Sequence, residues 1–144
     1  MTTTFKKSLR LVSATILLAA SFPSWADWVV VASAKSSIGK QSAEDISNLY
    51  LGKVSELPGA GAITAFNLPE GNGVRDDFFN DTAKKAPAAL KAYWSRMIFT
   101  GQGQPPKSLA DSAEVKRMLN GNPKAVGYIE KSAVDATVKV ILSP

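Results

Sequence analysis

The run Trp28-Val29-Val30-Val31-Ala32-Ser33 is apolar up to its last position and holds three consecutive valines. Branching at Cβ stiffens χ1 and suits an extended, pleated backbone. A strand that alternates apolar and polar residues buries one face; a run without alternation has to be covered on both. A chain containing this segment therefore needs layers on either side of a sheet. The expectation is a buried strand over Trp28–Ser33, of the kind found in parallel sheets.

The covering layers are readable as helices. Ser42-Ala43-Glu44-Asp45 has the form of a capping box, followed by Ile46, Leu49 and Tyr50 on one helical face, with Gly52 placed to end the helix. Ala62–Leu68 reads as a second strand, and a helix with Val74, Phe78 and Phe79 follows it. Pro87 suits the first position of a third helix, in which Leu90, Tyr93, Trp94, Met97 and Ile98 recur at helical spacing as core residues. Thr100–Lys107 is a loop. Asp111–Glu114 caps a fourth helix with Val115, Met118 and Leu119 inward, and Asn120–Pro123 stops it. Two short strands, Ala125–Glu130 and Val138–Leu142, close the chain. Strands alternating with helices, without repeats or an internal linker, argue for one α/β domain around a largely parallel sheet.

The first 26 residues have a different character. Lys6, Lys7 and Arg10 precede an apolar stretch, Leu11–Ala20, that is too short to span a bilayer. Ser24-Trp25-Ala26 then offers small residues at the two positions a signal peptidase reads. Residues 1–26 are read as a cleaved secretory signal, against the alternative of an uncleaved anchor, and residues 27–144 as a soluble periplasmic domain. The chain has no cysteine, so neither a lipid attachment nor a disulfide framework is available. Removing the leader takes three of the 17 basic residues and leaves 14 against 12 acidic ones, a net charge of +2. No basic stripe with interleaved aromatics remains, and nucleic acid is not expected as a partner.

Composition also excludes chemistry. Without histidine or cysteine, Ser-His-Asp and Cys-His catalysis and the zinc sites built on those ligands are absent. Ser37-Ile38-Gly39-Lys40 fits Ser-x-x-Lys but lacks the partner motifs of that acylase class. The same stretch fails as a P-loop, with Ala34 at the first glycine position and Gln41 where magnesium needs a hydroxyl. Asp76 and Asp77 point in different directions on a helix and complement its dipole rather than form an acid–base pair. No enzyme activity, cofactor or metal is expected.

One stretch, Asn67–Phe79 (NLPEGNGVRDDFF), carries the parts of an anion site. A helix start exposes unpaired N–H groups and partial positive charge, and glycines let a ligand approach the backbone. Gly71, Asn72, Gly73, Val74 and Arg75 sit at such a start, with Arg75 as a charge partner. The other reading is structural: Asn72 is a helix cap, the glycines shape the turn, and Glu70, Asp76 and Asp77 repel an anion.

Ile46–Lys53 (ISNLYLGK), the strand AITAFNL, the turn PEGNGVRDDFF and Asn122–Glu130 (NPKAVGYIE) occur in an order that resembles the phosphate-binding periplasmic proteins of ABC transporters, specifically their small single-lobe relatives. The resemblance covers nearly all of residues 27–144. It implies a type II periplasmic-binding-protein lobe, a mixed, mostly parallel sheet flanked by helices. It also implies phosphate or a similar oxyanion as ligand and an ABC permease or membrane sensor as partner. Full-size members hold phosphate with a Ser-Gly-Thr-Arg-like turn, matched here by Asn72, Gly73, Val74 and Arg75. Gly73 and Arg75 agree with that pattern, whereas Asn72 and Val74 replace its two hydroxyl residues. Ser36 and Ser37, after the first strand, are expected to add donors from the same sheet edge, where ligands of open α/β sheets gather. A non-catalytic interaction module recognising a periplasmic partner or sensor domain is the second reading. A homodimer is one way to supply a missing second lobe.

The leader makes the first prediction. Intact mass of the exported protein is expected to show Asp27 at the N-terminus; a mass that keeps residues 1–26 overturns the cleaved-signal reading.

Overall fold

A computed structural model describes residues 27–144, so the expected signal over 1–26 and its cleavage lie outside the described residues. The elements in chain order are β1 (Trp28–Ser33), α1 (Ala43–Tyr50), β2 (Glu56–Leu57), β3 (Gly61–Ala62), β4 (Thr64–Asn67), α2 (Gly73–Ala83), α3 (Pro87–Phe99), β5 (Lys107–Ser108), α4 (Ser112–Asn120), β6 (Ala125–Glu130) and β7 (Val138–Leu142). A single 3₁₀ turn, Lys131–Ala133, separates the last two strands.

The capping signals work as read. Ser42 Oγ accepts from the Asp45 N–H at 3.0 Å and donates to Asp45 Oδ2 at 2.7 Å. At α4 the exchange is reciprocal: Asp111 Oδ1 accepts from the Glu114 N–H at 2.9 Å, and Glu114 Oε2 accepts from the Ala110 N–H at 2.6 Å. Gly52 leaves α1 in the left-handed region, φ 70°, where a Cβ would be strained. Pro87 opens α3 as expected.

Five strands form one sheet in the order β5-β4-β6-β1-β7, and β2 and β3 form a separate hairpin. β4 is parallel to β5 and to β6, whereas β1 is antiparallel to both β6 and β7. Four strands thus share one direction and β1 alone is reversed. The architecture is the mixed, mostly parallel sheet flanked by helices that was expected, with one correction. β1 is buried at all six positions, as its sequence required, but its neighbours run against it. Burial on both faces follows from the layers above and below and carries no information about direction.

Pleating assigns the layers. Successive residues of β6 face opposite sides. Tyr128 meets Phe78 and Phe79 of α2 and Tyr50 of α1, while its neighbour Gly127 faces Val115 of α4. So α1 and α2 cover one face and α4 the other. The aromatic side is tightly joined. Phe78 stacks on Tyr128 at 4.1 Å between centroids, Trp28 meets Phe78 edge-on at 5.3 Å, and Trp28 Nε1 donates to Asp81 at 2.7 Å.

α3 departs from expectation. Leu90 and Trp94 are buried, and Tyr93 and Met97 are half-buried against the core, but Ile98 is 52% exposed. The helix is anchored by its middle, where Trp94 meets Gly52 and the Tyr93 hydroxyl donates to the Leu51 carbonyl at 2.6 Å. Its last turn projects past that support. No helix among the described residues is long and apolar enough to cross a membrane.

Gly127 gives a stability prediction. A Cβ there would overlap Val115 Cγ1, in a layer with no room to give. Gly127→Ala is expected to cost about 1–3 kcal/mol in urea unfolding, and Val115→Ala in the same chain to recover part of it. An unchanged midpoint for Gly127→Ala would mean that α4 is not seated on β6.

Candidate functional site: the start of α2

Three polar groups converge where β4 ends: the Asn67 amide, the Tyr128 hydroxyl and the Leu68 N–H. Asn67 is the last residue of β4, 1% exposed, and Tyr128 lies beside it on β6, fully buried. The Tyr128 hydroxyl donates to Asn67 Oδ1 and accepts from the Leu68 N–H at 3.0 Å. Leu68 N–H also reaches Asn67 Oδ1 at 3.0 Å. Burial pushes the Tyr128 hydroxyl well above its usual range; the Leu68 N–H and the Arg75 charge oppose this, and Asp76 adds to it. The hydroxyl is therefore a neutral donor at any physiological pH. Tyr50, whose hydroxyl donates to the Phe66 carbonyl at 2.8 Å, is likewise raised by burial and by Tyr128.

The chain leaves this cluster through Pro69 and Glu70. Gly71 adopts φ 84°, which favours glycine, and turns the backbone into α2. Asn72 is the N-cap, and its Oδ1 accepts from the Val74 N–H at 2.9 Å and the Arg75 N–H at 3.2 Å. The structural reading of Asn72 is thus realised. The cap occupies two first-turn donors and leaves the Gly73 N–H outside it. Gly73 itself is helical, and a Cβ there would meet nothing within 4 Å, so the space over the helix start is open.

Arg75 is the unusual member. It is 8% exposed, with its guanidinium 5.6 Å from the centre of the Phe79 ring and its charge felt at the Tyr128 hydroxyl. Its Nε is buried and has no hydrogen-bond partner. Asp76 is half-buried beside it, while Glu70 and Asp77 are exposed.

Of the expected site residues, Asn72, Gly73, Val74 and Arg75 come together at this turn, with Val74 partly packed on the core. Ser36 and Ser37 do not join them. β1 is antiparallel to β6, so its end at Ser33 lies beside the start of β6 and of β4, at the opposite edge of the sheet from Asn67. Ser36 confirms the placement: its Oγ donates to the Pro123 carbonyl at 2.5 Å and accepts from the Ile38 N–H at 3.2 Å, and its carbonyl accepts from Lys139 Nζ. Ser36 is a buried loop fastener, and Ser37 is exposed at that far edge. Asn67 and Tyr128 were missed as site residues. The available signal was a polar side chain ending one strand and a phenol inside another, both in segments otherwise read as core. Among the described residues no group of three or more acidic, histidine or cysteine side chains is placed to hold a metal.

No protein-family model and no curated protein matches the chain. Solved structures do. A protein described as a phosphate ABC transporter substrate-binding protein with bound phosphate, from Clostridium perfringens, aligns at 20% identity and a TM-score of 0.59, over 81% of this chain and 46% of its own. An ABC-type phosphate transport receptor from Vibrio cholerae gives 18% and 0.61, over 80% and 45%. PstS from Borrelia burgdorferi gives 15% and 0.55, over 80% and 46%. The likeness shows the fold alone, the mixed sheet flanked by helices that accounts for less than half of each of these proteins. The chain spans less than half the length of the proteins it matches.

The cap is separable from any ligand role. Asn72→Ala is expected to lose about 1 kcal/mol of stability, and Asn72→Asp, which keeps the acceptor, to lose little. Denaturant unfolding of both variants checks this; equal stability of Asn72→Ala and the parent would remove the cap from the account.

Proposed function

We propose that residues 27–144 form one half of an oxyanion clamp, a phosphate-binding-like periplasmic protein that serves ABC transport or sensing without catalysing a reaction. The observation that carries this reading is the Nε of Arg75, buried and unpartnered, in the first turn of a helix whose start is exposed at Gly73. A buried guanidinium donor without an acceptor costs stability unless something supplies one. An oxyanion above Gly73 would take the free Gly73 N–H and the helix dipole, and Arg75 would neutralise it. Rotation of the Asn72 amide off the cap would release the Val74 and Arg75 N–H groups to the same ligand. The bound phosphate of the Clostridium perfringens protein, whose lobe this chain resembles, supports the choice of anion.

Tight binding needs many donors in a dry, closed cleft, where screening is weak. One lobe gives a handful of donors open to water, with Asp76 close by. A dissociation constant for phosphate near the millimolar range is expected, about −4 kcal/mol, rather than micromolar, about −8 kcal/mol. Arg75→Gln is expected to weaken it by about 1.5–3 kcal/mol, the range for hydrogen bonds to charged groups. Calorimetry on the 27–144 protein, with sedimentation to fix its mass, tests both. Micromolar binding by a monomer would sink the half-clamp; micromolar binding by a dimer would show a second copy supplying the other half. Unchanged affinity in Arg75→Gln would move the site elsewhere.

The second reading, a non-catalytic interaction module, is favoured by the Asn72 cap, which already satisfies two of the donors an anion would need. A parent protein that binds no phosphate, sulfate or arsenate in the same calorimeter would leave that reading standing.

A further inference from the structure

The charge of the domain is segregated along the chain. Between Thr82 and Ala110 lie Lys84, Lys85, Lys91, Arg96 and Lys107 and no acidic residue at all. The remainder of residues 27–144 holds the other nine basic residues and all 12 acidic ones, so a segment of charge +5 sits on a body of charge −3. The ion pairs among the described residues, Lys116–Asp135 and Arg117–Glu114, use none of the five. Lys85 lies over the Tyr93 ring at 5.1 Å, and the other four are exposed.

Most of this segment is α3. With Leu90 and Trp94 turned to the core, helical spacing puts Ala88, Ala92, Ser95 and Phe99 in a row on the opposite side. All four are exposed, and Lys91 and Arg96 flank the row. Phe99 ends it at 93% exposure, the most exposed large hydrophobic residue described, with Ile98 beside it. Three small residues allow another surface to come close, and the phenylalanine at their end is a knob without a socket.

We infer that this face of α3 docks an acidic protein partner, which seats Phe99 in an apolar pocket and sets carboxylates against Lys91 and Arg96. Charge decides among occupants. In a second copy paired antiparallel about a two-fold axis, Phe99 would meet the other Ala88, but Lys91 would then share a flank with the other Lys91 and Arg96 with the other Arg96, like beside like. A bilayer would receive one phenylalanine and one isoleucine, less apolar surface than the single acyl chain that already binds only marginally. A protein pocket removes the same ring fully from water and pairs both flanking cations. The inference is independent of the anion site, since none of these residues lies at the start of α2.

Site-specific photocrosslinking tests it. The full chain carrying p-benzoylphenylalanine at position 99 is made in the cells that naturally produce it and irradiated, with Glu44 on the acidic body as the control position. The expected result is one protein adduct from position 99, cross-linked at an apolar residue with Asp or Glu close by, and none from position 44. The Lys91→Glu/Arg96→Glu variant is expected to lower adduct yield at least ten-fold, and changing the partner's cross-linked acidic residues to lysine to restore it. With the partner purified, Phe99→Ala is expected to weaken binding at least ten-fold while the melting temperature stays unchanged, because the side chain packs on nothing. An adduct of twice the chain mass would overturn the inference in favour of self-association. Flotation of the parent protein, but not Phe99→Ala, with phosphatidylglycerol vesicles would overturn it in favour of a membrane. No adduct, or adducts indifferent to charge reversal, would overturn it outright.

Discussion

The hydrogen bond from the Tyr128 hydroxyl to Asn67 Oδ1 holds the site end of this domain in place. It joins the interior of β6 to the last residue of β4, across a parallel pair whose own ladder stops at Phe66 and Gly127. Leu68, the first residue beyond the sheet, is fixed by the same two side chains. The turn into α2 therefore begins from a rigid point. The Tyr128 ring is also the platform on which Phe78 stacks, so one side chain sets both where α2 starts and how it lies. A buried polar network has this effect only when its members are satisfied, and the phenol, amide and N–H here satisfy one another.

The reversed direction of β1 decides how much of the sheet can serve one ligand. Had all strands been parallel, the loops after β1 and β4 would share an edge and Ser36 and Ser37 would stand beside Arg75. With β1 antiparallel, the loop after it fastens the far edge, through Ser36 to Pro123 and Lys139 to Ser36. The edge that carries Arg75 has the α2 start and the ends of β4, β5, β6 and β7, without the loop after β1. The two serines therefore add no donors at the start of α2.

Much of the scaffold is legible in the residues because the deciding physics is local. The Ser42 and Asp111 caps, Gly52, Pro87 and the valine run each act through neighbours a few positions away, and each stands where local chemistry puts it. The four-residue turn at Asn72–Arg75 is legible for the same reason. What the sequence hid is non-local. Strand direction depends on pairing partners distant in the chain. Ile98 has the spacing of a core residue, yet it lies beyond the point where Gly52 and Leu51 support α3. The two-residue strands β2, β3 and β5 carry too little pattern to stand out from loop. Asn67 and Tyr128 are 61 positions apart, and only the sheet register brings them together.

Arg75 is where fold and function are hardest to separate, and the balance of energies points one way. The contact with the Phe79 ring returns on the order of 0.5–2 kcal/mol. Proximity to the Tyr128 hydroxyl adds a dipole, not a counter-charge. Against these stand the desolvation of a guanidinium and an Nε without an acceptor, several kcal/mol between them. Asp76 is near enough to raise the Tyr128 pKa but forms no ion pair with Arg75 among the described residues. A leucine or methionine would fill the same volume against Phe79 without the penalty. The proposed anion would supply the acceptor that the buried Nε lacks, and for that reason the proposal rests on this side chain more than on any other.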